Sequence, residues 1–150
     1  MKLTDEIVIK APKARVYAAL NDPDILQQCI PGCEELTQHS DTELRARVVL
    51  KVGPVKAKFS GEVALDKSRA PDHFSLLGQG DGGVAGFAKG GADVTLEEDG
   101  EDTLLRYDAS AQIGGKLAQL GSRLVQSTAK KLAAKLFKNF AEILDEERVS

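Results

Sequence analysis

Cys29 and Cys33 stand four residues apart around Ile30-Pro31-Gly32, a turn that could bring two thiols close. Two thiolates are half of a structural zinc site, which needs four ligands. The histidines, His39 and His73, lie far from the pair and from each other in sequence. No metal is expected, and the two cysteines read as half-buried thiols. Nucleophilic hydrolysis asks for a Ser or Cys beside a base that an acid orients. His39 precedes Ser40-Asp41 in a polar turn and His73 opens a strand, so both read as solvated, without that setting. Glu97-Glu98-Asp99-Gly100-Glu101-Asp102 gathers carboxylates, but not in the ligand order of a calcium loop, and reads as a wet hairpin tip. Gly78-Gln-Gly80-Asp-Gly82-Gly83 fits the letters of a dinucleotide fingerprint. That fingerprint needs a helix directly behind it to hold pyrophosphate at its N-terminus. Here a strand pattern follows and Asp81 would repel phosphate, so a turn with bent strands is the expectation. Phe87 behind it is a candidate gate over a cavity mouth. No constellation supports catalysis, which points to a protein that binds.

The elements that must position a binding site are legible in the periodicity. Residues 2–10 read as a strand with Leu3, Ile7 and Ile9 on one face. Pro12 suits the first turn of a short helix, where its missing N–H costs nothing. Asn21-Asp22-Pro23 breaks that helix, and Pro23 begins a second that runs to about Cys29. From about Glu34 the period becomes two. Leu44, Ala46, Val48, Leu50 and Val52 alternate with polar neighbours. After Gly53-Pro54, Val55, Ala57, Phe59, Gly61, Val63 and Leu65 do the same. Strands near 73–80 and 86–97 follow, then Asp99-Gly100 as a hairpin turn. A last strand carries Leu105, Tyr107, Ala109, Ala111 and Ile113. The segment from Gly115 to about Leu144 reads as one amphipathic helix with a stripe of Leu117, Leu120, Leu124, Leu132, Leu136, Phe137, Phe140 and Leu144. The fold class is α+β: a curved seven-stranded antiparallel sheet around a long C-terminal helix, with two short helices after the first strand. Residues 1–150 form a single domain.

The stripe is large where the sheet residues facing it are small: Ala57, Gly61, Gly78, Gly80, Ala92, Ala109 and Ala111. Interiors pack to crystal-like density, so the two layers either approach closely or enclose a cavity. An apolar cavity binds an apolar ligand. The candidate lining is Ile30, Leu50, Phe59, Phe74, Leu76, Phe87, Ala109 and Ala111, with Leu117, Leu120 and Leu124 from the helix. Tyr107 joins them as a phenol that could orient a ligand carbonyl.

With 42% hydrophobic and 29% charged residues the composition is that of an ordinary globular protein. A net charge of −3 and the absence of a basic, aromatic-interleaved block argue against nucleic acid. The N-terminus lacks a signal-peptide run, and no stretch approaches a membrane span. Two cysteines and no glycosylation sequon suit a reducing, cytoplasmic setting. The final helix carries Arg123, Lys130, Lys131, Lys135 and Lys138 near its polar face. Such a face is usually a wet face, and it can also dock on anionic lipid or an acidic partner.

Ile7-Val8-Ile9-Lys10-Ala11-Pro12, with Val16-Tyr17 and Leu20-Asn21-Asp22-Pro23, resembles the start of START-like (SRPBCC) helix-grip domains. Cys29-Ile-Pro-Gly-Cys33-Glu-Glu-Leu36, Val52-Gly-Pro-Val55, Phe59-Ser-Gly61 and Gly114-Gly-Lys-Leu-Ala-Gln-Leu-Gly-Ser-Arg123 are similar to the carbon monoxide dehydrogenase G-subunit (CoxG) family. The resemblance covers essentially the whole chain. It implies a non-catalytic accessory of a CO-dehydrogenase-type molybdenum hydroxylase that binds a quinone or lipid in an apolar cavity and carries no resident cofactor. Membrane recruitment and quinone carriage are roles proposed in that family. Many members add a C-terminal membrane anchor, and none is expected within residues 1–150. The expected location is the cytoplasm, with peripheral contact at the inner face of the cell membrane. The alternatives are an assembly or recruitment module without ligand, and an enzyme acting on an apolar substrate.

Overall fold

A computed structural model gives the structure of residues 1–149, with side chains as far as residue 147. Strand β1 (Lys2–Ile9) leads into helices α1 (Lys13–Leu20) and α2 (Pro23–Cys29). Six strands follow: β2 (Cys33–Ser40), β3 (Glu43–Val52), β4 (Val55–Asp66), β5 (His73–Asp81), β6 (Phe87–Asp99) and β7 (Asp102–Gly114). Helix α3 (Ser122–Val149) closes the chain. The seven strands form one antiparallel sheet in the order β1-β7-β6-β5-β4-β3-β2. Consecutive hairpins build all of it except the β1–β7 pairing, which brings the two ends of the sheet sequence together.

Local chemistry explains the boundaries. Pro12 extends the chain into α1 with φ −67° and ψ 153°. The Asp22 carboxylate accepts the Asp24 N–H at 3.0 Å and caps α2, whose first residue is Pro23. Gly32 turns the chain from α2 into β2 at φ 75°, and a Cβ there would lie 2.0 Å from the Val49 carbonyl oxygen. The C-terminal segment differs from the expected single helix. Gly115–Leu120 is a 3-10 turn, and Gly121, at φ 97°, separates it from α3. The apolar spacing of Leu117, Leu120 and Leu124 fits either arrangement; the left-handed glycine decides between them. Gly121 therefore sits at a break, not inside a helix. Behind the glycine motif the chain makes a 3-10 turn, Gly83–Ala85, and then β6, so no helix stands where a pyrophosphate would need one.

The closed core lies at one end of the sheet. Ile9, Val16, Ala19, Cys29, Leu105 and Phe140 are each 0% exposed, and Phe74, Val94, Leu96 and Leu144 join them. Thr103, also 0% exposed, donates its hydroxyl proton to the Ala11 carbonyl at 2.7 Å. Asn139 on α3 donates to the Cys29 carbonyl at 3.0 Å and ties α3 to the end of α2.

Candidate functional site

Side chains of a strand alternate between faces, so the pairing register sorts the inner face into cross-strand rows. At the core end one row runs Leu96, Leu105, Ile7, and the next Phe74, Val94, Tyr107, Asp5. The third is Leu65, Leu76, Ala92, Ala109, Leu3. The fourth is Gln38, Leu44, Val63, Gly78, Gly90, Ala111, and the fifth Leu36, Ala46, Gly61, Gly80, Ala88, Ile113. Side-chain size falls from the closed core toward the other end, and the middle of the last two rows is almost entirely glycine and alanine. Burial falls in the middle of the face: Ala46, Val63, Ala88, Ala109, Ala111 and Ile113 are half-buried, whereas Leu44 at the row's side and Val52 and Ala57 near the β3–β4 turn are buried. The first turns of α3 stand over that end. A Cβ on Gly53, at the β3–β4 turn, would lie 2.9 Å from Leu124 Cδ2. Helix and hairpin tip thus meet beyond the small rows.

The expected lining residues divide into groups. Leu50, Phe59, Ala109, Ala111, Leu120 and Leu124 are half-buried around the small-residue end. Phe59 packs across glycine; a Cβ on Gly80 would lie 3.5 Å from its Cδ1. Leu117, in the 3-10 turn, is 4% exposed. Phe74 belongs to the closed core, with its ring edge-on to Tyr17 at 6.2 Å, and Leu76 packs against that core. Ile30 is half-buried where α2 ends. Phe87 is on the other face of the sheet, 51% exposed. Gly86, at φ 121°, sets the start of β6 so that Ala88 points inward and Phe87 covers Gly114, where a Cβ would lie 2.1 Å from its ring.

Tyr107 stacks on Phe137 of α3 with ring centroids 4.8 Å apart. Burial first, and then the Asp5 carboxylate, push its phenol above the ordinary value, so it is a neutral hydroxyl at neutral pH. Its row pairs it with Asp5, a polar neighbour that alternation alone does not reveal, because Asp5 interrupts the apolar series Leu3, Ile7, Ile9. Burial also raises both thiols. Cys33 stands 3.4 Å from the Glu35 carbonyl, and a backbone hydrogen bond at Glu35 offsets part of its shift. His73 is less solvated than its sequence setting suggests: its side chain is 20% exposed and stands 3.5 Å from Asp93. Among the described residues no group of three or more His, Cys, Asp and Glu could hold a metal ion.

A groove of about 1000 Å3 lies on the outer face of the sheet. Arg45, Arg47, Glu35, Glu62, Asp81 and Lys89 line it beside Phe87, and Arg47–Glu35 (2.8 Å) and Arg45–Glu62 (3.7 Å) pair across strands. A charged, self-paired groove offers an apolar ligand little, since it would desolvate those groups. The inner face is therefore the candidate site.

The family model for the carbon monoxide dehydrogenase G-subunit (CoxG) matches residues 6–145. The chain belongs to that family. A search of curated proteins finds no match. Among solved structures it is similar to a conserved protein from Geobacillus kaustophilus, at 30% identity and a TM-score of 0.90, over 97% of this chain and 96% of that one. It also resembles a START superfamily protein from Mycobacterium smegmatis (16% identity, TM-score 0.74, 97% of each chain). A third likeness is to the Zhui aromatase/cyclase from Streptomyces sp. R1128 (13% identity, TM-score 0.69, 100% of this chain and 96% of that one). The fold is START-like, a sheet gripping its C-terminal helix. No helix among the described residues is long and apolar enough to cross a membrane.

Proposed function

We propose that this CoxG-family chain is a non-catalytic accessory of a CO-dehydrogenase-type molybdenum hydroxylase, carrying a hydrophobic ligand between sheet and C-terminal helix. The ligand class is quinone or lipid. The observation that carries this reading is the gradient of side-chain size along the inner face, from a closed core to rows of Gly78, Gly90, Gly61 and Gly80 flanked by half-buried apolar residues. Half-buried apolar side chains beside small residues gain from an apolar guest, because each buried CH2 is worth about 0.8 kcal/mol. Family membership supplies the partner class.

The same fold hosts an aromatase/cyclase, so catalysis on an apolar substrate is the competing reading. Reaction would require polar groups converging on the guest. In the five inner rows the polar side chains are Tyr107 and Asp5, together at one flank, and Gln38, exposed at the opposite edge, so they do not converge. That favours carriage. Residues 44–61 and 109–141 contain no acid, while Lys51, Lys56, Lys58, Lys116 and Arg123 fall at the small-residue end. This charge pattern supports peripheral contact with an anionic membrane surface on the cytoplasmic side.

Titration of organically extracted protein with a short-chain quinone and a long-chain fatty acid tests the reading. Saturable one-to-one binding, abolished in Ala109→Phe with the fold intact, is the expected result. A protein that binds neither and still co-purifies with the oxidoreductase would be an assembly module.

A further inference from the structure

Beside the small-residue rows, a groove of about 550 Å3 runs between strand β1 and helix α3. Leu3, Asp5, Tyr107 and Ala134 line it, with Lys2, Lys130 and Lys131 around them. We propose that this groove receives the anionic head of an amphiphile whose apolar tail lies over the small-residue rows. The proposal rests on the carrier reading and narrows its ligand from a neutral quinone to a long-chain carboxylate or phosphate.

Three observations carry it. First, Lys2, Lys130 and Lys131 have no ion-pair partner among the described residues, whereas Lys138, further along the same helix, stands 4.0 Å from Glu142. Lys130 and Lys131 from α3 and Lys2 from the edge of β1 line the groove with one carboxylate, so its lining is net positive. That carboxylate, Asp5, already accepts the Glu6 backbone N–H at 2.8 Å. Second, the Tyr107 hydroxyl has no hydrogen-bond partner among the described residues, although its ring is fixed against Phe137. A half-buried phenol seeks an acceptor, and an anionic oxygen is a strong one. The Gln126 amide is not available for that role, because it donates to the Lys2 carbonyl at 2.7 Å. Third, the groove adjoins the interior. Leu3, on its wall, pairs with Ala109, and Ala109 pairs with Ala92 in the third inner row. A tail entering past Leu3 therefore meets alanine and then glycine, while its head remains among ammonium groups. A neutral quinone makes no use of those charges; a carboxylate or phosphate oxygen accepts charge-assisted hydrogen bonds from them.

The test is calorimetric titration of the extracted full chain with dodecanoate, dodecyl phosphate and methyl dodecanoate. The wild type should bind at least one of the anions about tenfold more tightly than the ester, the scale of one charge-assisted hydrogen bond. Whichever anion binds tighter identifies the head group as carboxylate or phosphate. The K130Q/K131Q double variant changes exposed positions and keeps the fold. It should bring both anions to within about twofold of the ester and leave ester affinity unchanged. Tyr107→Phe, which keeps the ring on Phe137, should weaken anion binding alone. Equal binding of acid, phosphate and ester by the wild type would overturn the head-group site and leave the carrier reading standing, as would a preference that survives in the double variant. Binding of none of the three would overturn both.

Discussion

Ala111→Leu inserts three carbons into the middle of the small-residue rows. In a core at native density such an insertion costs about 1–3 kcal/mol, because neighbours must leave their rotamers. Over an open floor the same carbons have room, and each one shielded from water contributes about 0.8 kcal/mol. Ala111 is half-buried and paired with Gly90, so part of that gain is realised. The expected change lies between zero and about 1 kcal/mol of added stability. Ala19→Leu is the control, since Ala19 is 0% exposed inside the closed core and should show the full penalty. The assay is urea unfolding of ligand-free protein, followed by far-UV circular dichroism. With slopes of about 1–3 kcal/mol per molar urea, the two midpoints should separate by about 1 M. If Ala111→Leu falls as far as Ala19→Leu, that end of the inner face is already filled and the carrier argument fails.

Other expectations follow from single contacts. Thr103→Val keeps the shape but leaves the buried Ala11 carbonyl unpaired, which should cost about 1–3 kcal/mol in the same urea assay. Gly32→Ala should cost more than the roughly 1–2 kcal/mol of left-handed backbone alone, because its Cβ would strike the Val49 carbonyl. The hydrogen bond from Arg15 holds the Glu147 carboxyl below the ordinary range, with the two groups 2.5 Å apart. A depressed folded-state pKa means that the pair stabilises above the unfolded pKa and stops doing so as pH falls through the folded one. Both groups are well exposed, so Glu147→Gln should lose under about 1 kcal/mol at neutral pH and match the wild type once pH falls below the folded-state value. Cys33 should react with a thiol reagent in the native protein, while Cys29, 0% exposed with its thiol pushed up by burial, should react only on unfolding.

Strand content and order were legible because alternation continues through β3, β4 and β7, and because Gly53-Pro54 and Asp99-Gly100 mark their turns. The small core-side residues were legible as well, since each falls on the apolar phase of its strand. The break at Gly121 was not, because helical and 3-10 spacing place Leu117, Leu120 and Leu124 alike and periodicity carries no φ. Phe87 escaped for a related reason: the backbone turn at Gly86 sets the phase of β6. The partition between core and candidate site needed the register. Phase places Phe74 and Ala111 on one face, but the rows put Phe74 against Tyr17 in the closed core and Ala111 beside Gly90 at the open end. Partners distant in sequence, such as Asp5 for Tyr107 and Asp93 for His73, become visible only once the strands are paired.

The central claim is that the small-residue end holds an apolar guest. Native mass spectrometry of the purified chain, repeated after organic extraction, tests it most directly. The account predicts a stoichiometric adduct that extraction removes, that added amphiphile restores, and that Ala109→Phe never acquires. A single apo mass throughout, unchanged by added quinone or fatty acid, would contradict it.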